Sequence, residues 1–226
     1  MCTKYQDFLD KLKEERISRK WTQLQMGQKL RMTQSHYSKA EMGSRRFTYY
    51  EMKCLCETDL DIYYIFTGYR CRTEYREFFK TCTYEELKCY LGMLGPVVEH
   101  LYRNRALDIK WDVYKKIEMI HYSLTPCKDD KTIFYSFRRG MDYSQKEMAD
   151  ILDIDVKKLR SMENGSALPD SEIIWKVSEE IGVPFSIILN DVNGLGGEIS
   201  YLVELIENDT RRKMFDRIKA YHDILR

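Results

Sequence analysis

The length, composition and charge of this chain exclude several classes of protein. Its 226 residues, 43% hydrophobic and 32% charged, favour a globular protein of two domains over one compact domain. No apolar run approaches the roughly 18 residues that a membrane span needs, and residues 1–20 lack the apolar core of a signal peptide, so we expect a cytoplasmic protein.

The first elements in chain order are predicted to be short helices. Apolar residues recur at helical spacing over residues 5–19, directly before the helix start signal Thr22-Gln23. After Gly43, a polar loop precedes the apolar-rich residues 49–66, which end at Thr67-Gly68. This pattern indicates two further helices with a glycine stop, and therefore five helices in residues 1–70.

The middle of the chain is also predicted to be helical. Thr83 begins a capping-box start, Gly95-Pro96 indicates a kink or a break, and residues 108–124 have apolar residues at helical spacing. Residues 125–131 are the best candidate for a linker. We therefore predict a helical linker or dimerisation region over residues 71–131.

A segment of the chain then occurs a second time. Residues 144–165 match residues 22–43 without gaps, at a fixed offset of 122 residues. In each copy a Ser/Thr-Gln pair opens a short helix, and a second short helix ends in Glu-x-Gly. The small residue in the first helix, Gly27 or Ala149, allows two helices to cross closely at a tight turn, as in a helix-turn-helix.

The last part of the chain completes the predicted organisation. Residues 132–191 repeat the order of five helices, and Asn193 to Gly197 are predicted to be a flexible joint before a C-terminal helical pair in residues 192–226. No segment has the period-two alternation of a strand. The predicted fold is all-α, with two five-helix domains joined and followed by helical segments.

These motifs resemble the Cro/cI-repressor-like (Xre) family of helix-turn-helix DNA-binding domains, over about 60 residues in each copy. The resemblance implies that Thr33 caps the recognition helix, that Gln34, Ser35 and Lys39 contact base edges, and that other residues contact the DNA backbone. The residues implied at the DNA in the first copy are Gln23, Thr33, Gln34, Ser35, His36, Ser38, Lys39, Arg45 and Arg46.

The chemistry of the first copy favours this interpretation. A glutamine side chain such as Gln34 can pair in bidentate fashion with adenine N6 and N7 in the major groove. The amide of Gln23, with its helix N-terminus, can hold a phosphate. Residues 1–70 carry 13 Lys/Arg against 9 Asp/Glu, whereas residues 132–191 carry 7 against 11. A phosphate backbone therefore attracts the first copy and on average repels the second.

The second copy is interpreted as a weaker reader. Its cap is Asp155, and Val156 stands where Gln34 stands in the first copy, so it can at most touch a thymine methyl group. A scaffold or dimerisation role is the alternative for this copy. The residues that can still contact DNA are Gln145, Lys157, Lys158 and Arg160.

Two charged pairs have the same spacing in both copies. Arg16 and Glu41 are 25 residues apart, as are Arg138 and Glu163. The resemblance implies that each forms an internal ion pair, structural and not catalytic. The family usually has glycine at the turn between the two motif helices. This chain has Arg31 and Asp153 there, so we expect a distorted or slightly strained turn in the first copy.

Cysteines and histidines give no sign of a metal site or a disulfide framework. The seven cysteines form no C-x-x-C pair, and the four histidines are scattered along the chain. We expect reduced thiols, with a redox sensor at Cys54, Cys56 or Cys71 as the alternative. No phosphate loop or catalytic motif is present, so we expect neither an enzyme nor a cofactor.

The sequence thus predicts a sequence-specific DNA-binding transcription regulator that acts as a repressor. We expect it to bind double-stranded DNA as a homodimer, with the apolar residues of residues 69–131 and 198–225 as the interface. One chain that places both motifs on unlike half-sites is the alternative geometry. The alternative function is a protein-interaction module, antitoxin-like or partner-binding, and a protein partner or small effector is left open.

Overall fold

The computed structural model describes residues 3–103, 131–206 and 208–225. Within these ranges the regular elements are all helical, so the predicted all-α fold is confirmed. The α-helices of the described residues are α1 (Thr3–Ser18), α2 (Gln23–Lys29), α3 (Gln34–Glu41), α4 (Tyr49–Cys56), α5 (Ile62–Thr67), α6 (Thr73–Lys80), α7 (Tyr84–Arg103), α8 (Ile133–Gly140), α9 (Gln145–Leu152), α10 (Val156–Glu163), α11 (Ser171–Lys176), α12 (Phe185–Ile188), α13 (Val192–Leu205) and α14 (Asn208–Leu225).

Part of the sequence prediction falls outside these ranges. The predicted helix over residues 108–124 and nearly all of the linker over 125–131 lie outside the described residues. A π-helical turn, Val177–Ile181, follows α11 directly. None of the described helices is both long and apolar enough to cross a membrane.

Two five-helix units repeat along the described chain: the first unit, residues 3–68, and the second unit, residues 131–190. The starts of α9, α10 and α11 follow those of α2, α3 and α4 by 122 residues each. Left-handed backbone recurs at the same offset. The pairs of positive φ are Lys20 and Asp142 (58° and 56°), Arg31 and Asp153 (57° and 54°), Gly43 and Gly165 (77° and 76°), and Gly68 and Asn190 (76° and 51°). The backbone path therefore repeats at the turns as well as in the helices.

The two units contact each other through the start of α11 and through α12. Ser171 Oγ accepts a hydrogen bond from the backbone N of Phe47 at 3.1 Å and lies 2.7 Å from Tyr5 Oη, and Ser171 N donates to Phe47 O at 2.9 Å. The rings of Phe66 and Phe185 stack with their centroids 3.8 Å apart. Because all of these groups are buried, the units share one core in this region.

Four helices outside the two units pack together. Buried side chains of α6, α7, α13 and α14 meet here; those of Phe79, Tyr90, Ile199 and Phe215 are fully or almost fully inaccessible. The ring of Phe215 contacts those of Tyr75 and Phe78 at 4.6 and 5.3 Å. Among the described residues, most apolar side chains of the surface proposed as a dimer interface are buried within one chain, because these helices pack against each other, whereas Tyr69 and Ile224 stay exposed.

The predicted flexible joint at residues 193–197 is wrong. These residues lie inside α13, where glycine permits close helix packing. A Cβ atom added at Gly197 would lie 2.5 Å from Tyr63 Cβ, and one at Gly196 would lie 3.1 Å from Phe79 Cβ. The glycines therefore bring α13 against its neighbours.

At Gly95-Pro96, where a kink or a break is predicted, the helix is not broken. Helix α7 continues through Pro96 to Arg103. Its predicted capping box is present: Thr83 N donates to Glu86 Oε2 at 2.6 Å, and Glu86 N donates to Thr83 Oγ1 at 3.3 Å. A proline removes one helical hydrogen bond, and here the burial of α7 against α13 outweighs that loss.

Candidate nucleic-acid interface

Helices α2 and α3 form a tight helix-turn-helix in the first unit. Thr22 and Gln25 make a reciprocal capping box at the start of α2, and Thr33 Oγ1 accepts from His36 N at 3.2 Å at the start of α3. Between the helices, Met32 N donates to Gly27 O at 2.9 Å. A Cβ atom at Gly27 would lie 3.0 Å from Met32 O, so this position needs a small residue.

The outer side of α3 presents polar side chains to solvent. Tyr37, Ala40 and Glu41 are buried, whereas the side chains on the other side, which we call the reading face, are exposed. The reading face consists of Gln34, Ser35, His36 and Lys39. Ser38 is half-buried, and Thr33 is exposed at the cap. The predicted base-reading residues therefore lie together on one accessible face.

A buried carboxylate organises the inner side of the first motif. Arg16 Nε and Nη2 donate to Glu41 at 2.7 and 3.2 Å, Tyr37 Oη donates to it at 2.8 Å, and Gln23 Nε2 donates to it at 2.8 Å. Burial raises the pKa of Glu41, but the hydrogen bonds from Arg16, Gln23 and Tyr37 outweigh it, so the pKa lies below its ordinary value. The structure thus brings the predicted partners Arg16 and Glu41 together.

The amide of Gln23 is directed inward in this structure, toward Glu41, while its backbone opens α2. The phosphate contact implied for Gln23 stays a prediction. Trp21 and Tyr37 were missed by sequence reasoning: the carbonyl of Trp21 accepts from Arg16 Nη1 at 2.7 Å. The i, i+4 spacing of Tyr37 and Glu41 on α3 is a signal in the sequence from which their contact could have been predicted.

Arg45 and Arg46, in the loop after α3, both pair with carboxylates. Arg45 forms a bidentate pair with Glu51, at 2.7 and 2.9 Å, and so orients the carboxylate that caps α4. Arg46 Nε donates to Glu172 Oε2 of the second unit at 2.8 Å, and its guanidinium lies 4.6 Å from the centre of the Tyr5 ring. Their phosphate contacts stay predictions; in the structure both guanidinium groups are engaged by carboxylates.

The second unit repeats the buried carboxylate. Arg138 donates to Glu163 in a short hydrogen bond through Nε, Gln145 Nε2 donates to Glu163 at 2.7 Å, and Arg138 Nη1 donates to Tyr143 O at 3.0 Å. Each of these bonds corresponds to one in the first unit at the offset of 122 residues. The buried Leu159 takes the place of Tyr37.

The outer side of α10 is less well suited to reading bases. Asp155 caps the helix by accepting from Lys158 N at 2.9 Å, and the side chain of Val156 is half-buried. Lys157 and Arg160 are exposed, although Arg160 Nη2 also donates to Gln145 Oε1 at 3.3 Å. The cationic side chains here can contact phosphates, but no amide side chain occupies the position of Gln34.

The turns between the motif helices have the same geometry in both units. Arg31 and Asp153 adopt left-handed backbone, and the corresponding hydrogen bonds, Met32 N to Gly27 O and Ile154 N to Ala149 O, are 2.9 and 3.0 Å long. The first turn is therefore not distorted relative to the second. The strain expected there as the other outcome lies in the left-handed φ of a single arginine, Arg31.

Comparison with known protein families matches the second unit. Residues 135–188 match the Helix-turn-helix family (HTH_3). The match spans less than half of the chain and supports a DNA-binding transcription regulator in general terms. It falls on the copy that sequence reasoning ranked as the weaker reader, and it does not extend to the first unit. Comparison with curated proteins and with solved structures finds no match.

Two of the cysteines named for a redox role have thiols that resist ionisation. Burial raises the pKa of the Cys71 thiol to about 12. Burial, and then the charge of Asp191, raise the pKa of the Cys56 thiol well above its ordinary value. The thiolate, which is the reactive form, is therefore disfavoured at both positions.

Proposed function

We propose that this chain acts in the cytoplasm as a sequence-specific DNA-binding repressor, whose first unit reads the major groove. The family match supports DNA binding through the second unit. The first unit has the same helix-turn-helix geometry, the same buried carboxylate and the same left-handed turn positions. This shared geometry supports the proposal that both units are domains of one family.

The reading face of α3 carries this proposal. Gln34, Ser35 and Lys39 are exposed on one side of α3, which is capped at Thr33. On the buried side of the helix, the bond between Glu41 and Arg16 fixes α3 to α1. A helix presented in this way can enter the major groove, where an amide pairs with adenine and a lysine contacts guanine or phosphate. The second unit exposes Lys157 and Arg160 on the outer side of α10, and these cations favour contact with the DNA backbone there.

Selection of bound sequences from random DNA tests the proposal. We expect the full chain to select a consensus sequence, and we expect Gln34→Ala to alter that consensus at one position. The control Gln28→Ala, at an exposed glutamine on α2, should leave the consensus unchanged. Replacing Lys157 and Arg160 together should weaken binding to all sequences without changing the consensus. A consensus that survives Gln34→Ala and changes with the double variant would assign base reading to the second unit.

Oligomeric state is part of the same proposal. A homodimer over a palindrome predicts two equal half-sites and a mass of two chains in sedimentation. A single chain with both motifs on DNA predicts two unlike half-sites and a mass of one chain. We propose the homodimer, because only the first unit has an amide-bearing reading face.

A protein-interaction module is the second candidate, and one contact favours it. The basic first unit and the acidic second unit meet through Arg46 and Glu172, 2.8 Å apart, so the chain already joins two helix-turn-helix units through complementary charge. A gel shift on genomic fragments separates the candidates. Specific retardation of some DNA fragments by the protein at physiological salt supports the repressor, and the absence of such retardation supports the interaction module.

A further inference from the structure

The last helix meets the connection between α6 and α7 at a cluster of three metal-ligating residues. Ligand atoms of Cys82, Glu86 and His222 all lie within 4.8 Å of one another. Cys82 and His222 are each 5% exposed, and the side chain of Glu86 is 15% exposed. Sequence reasoning expected no metal site because the histidines are scattered. The fold brings His222 next to a cysteine 140 residues away.

The distances in this cluster are close to those of a tetrahedral metal site. His222 Nδ1 lies 3.6 Å from Glu86 Oε1 and 3.9 Å from Cys82 Sγ. Zinc bonds of about 2.0–2.3 Å place tetrahedral ligand atoms roughly 3.3–3.6 Å apart. Two of the three separations therefore need shifts of only a few tenths of an ångström, and the third, between Cys82 Sγ and the Glu86 carboxylate, lies within 4.8 Å, so side-chain rotation would complete the coordination.

We propose that Cys82, Glu86 and His222 bind a divalent metal ion of the zinc class. A thiolate and a carboxylate balance the charge of such an ion, and a neutral imidazole completes a donor set of sulfur, oxygen and nitrogen that zinc accepts. Binding releases the thiol proton of Cys82 to solvent. The three protein ligands leave one position for water. The Tyr90 hydroxyl, 2.9 Å from His222 Nδ1, would give up its hydrogen bond to that nitrogen, because metal binding needs the same lone pair.

The surrounding bonds orient the ligands. Glu86 uses its other oxygen, Oε2, to accept from Thr83 N at 2.6 Å and from Thr83 Oγ1 at 2.9 Å, so the α7 cap fixes the carboxylate that faces His222. The ring of Phe78 packs edge-to-face on the imidazole, with centroids 5.2 Å apart. The ion would tie α14 to the start of α7.

Titration of the chelator-treated full chain with Co²⁺, followed by displacement with Zn²⁺, tests the site. We expect one ion per chain, a thiolate-to-cobalt charge-transfer band, and a higher melting temperature with Zn²⁺. Cys82→Ser should abolish the band and weaken Zn²⁺ binding at least about 100-fold, the upper end of what loss of an outer-shell partner costs. The matched control is Cys89→Ser, an exposed cysteine on α7, which should leave both unchanged.

Two further variants keep the test decisive if Cys82→Ser does not fold. Glu86→Gln retains an oxygen that can cap α7, and His222→Gln retains a polar side chain; circular dichroism without metal checks the fold of each. Both should weaken Zn²⁺ binding by an order of magnitude or more. A wild-type chain that binds no Co²⁺, or variants that bind it as tightly as Cys89→Ser does, would overturn the proposal and leave the cluster as a hydrogen-bonded contact.

Discussion

At the residue scale, the left-handed turn between α2 and α3 costs stability in the first unit. Arg31 has φ +57°, a conformation that costs a non-glycine residue roughly 1–2 kcal/mol. Glycine removes that cost but loses roughly 0.5–1 kcal/mol more backbone entropy on folding. We therefore expect Arg31→Gly to raise the free energy of unfolding by about 1 kcal/mol in urea denaturation.

The corresponding residue of the second unit is the matched control. Asp153 has φ +54°, and aspartate tolerates this region better than arginine does. Asp153→Gly should therefore raise stability by less than Arg31→Gly. Equal gains in stability for the two variants, or a loss of stability in Arg31→Gly, would show that the φ angle of Arg31 does not reduce the stability of the first unit.

The buried carboxylate of Glu41 makes stability depend on pH. Its pKa lies below the ordinary value of 4.5, so its contribution to stability is present above pH 4.5 and is lost as the pH falls through the lower, folded-state pKa. Glu41→Gln should reduce stability at neutral pH and flatten the loss of stability in acid. Thermal melts between neutral pH and pH 3 measure this, with the exposed Glu57→Gln as control. Parallel pH curves for wild type and Glu41→Gln would contradict the expectation.

At the scale of elements, the glycines of α13 set how closely helices approach. An alanine Cβ at Gly197 would lie 2.5 Å from two atoms of Tyr63, so Gly197→Ala should lower the free energy of unfolding by about 1–3 kcal/mol through overpacking. The control is Gly92→Ala on α7, where nothing lies within 4 Å of the added atom. That substitution should stabilise the chain by up to about 1 kcal/mol through helix propensity. Stabilisation by both would mean that α13 is not packed as described.

The helices that sequence predicted well are those with local signals. Thr22, Thr33 and Ser144 cap their helices, as predicted from their positions directly before Gln-rich or apolar-periodic segments. This prediction succeeds because a cap involves only residues within one turn of each other. The glycines of α13 were misread because their role depends on Tyr63, far away in the sequence. A glycine cluster has the same appearance in a flexible joint and in a close helix contact.

At the scale of the whole molecule, Arg46 and Lys39 should behave differently on DNA. The resemblance implies a phosphate contact for Arg46, but the structure pairs it with Glu172 at 2.8 Å. We expect Lys39→Ala to lower the slope of log affinity against log salt by about one, and Arg46→Ala to lower it by less, because Glu172 competes with phosphate for the guanidinium. Affinity measured at four salt concentrations distinguishes them. Equal changes in slope for the two variants would show that the pair with Glu172 does not weaken the phosphate contact of Arg46.

Long-range contacts were the part of the candidate sites that sequence could not predict. The repeat at offset 122 gave the positions of the motif helices and the two pairs, Arg16–Glu41 and Arg138–Glu163, because they lie within one unit. It gave neither the contact of Arg46 with Glu172 nor the meeting of His222 with Cys82. These depend on how units pack, which no local periodicity encodes.

The claim that the first unit reads bases is tested most directly at Gln34. The affinity of Gln34→Ala should be measured on the selected site and on each single-base variant of it, at fixed salt. We expect a loss of about 1–3 kcal/mol on the selected site, with the preference for adenine lost at one position and retained at all others. An equal loss on every variant, or no loss at all, would contradict base reading by α3.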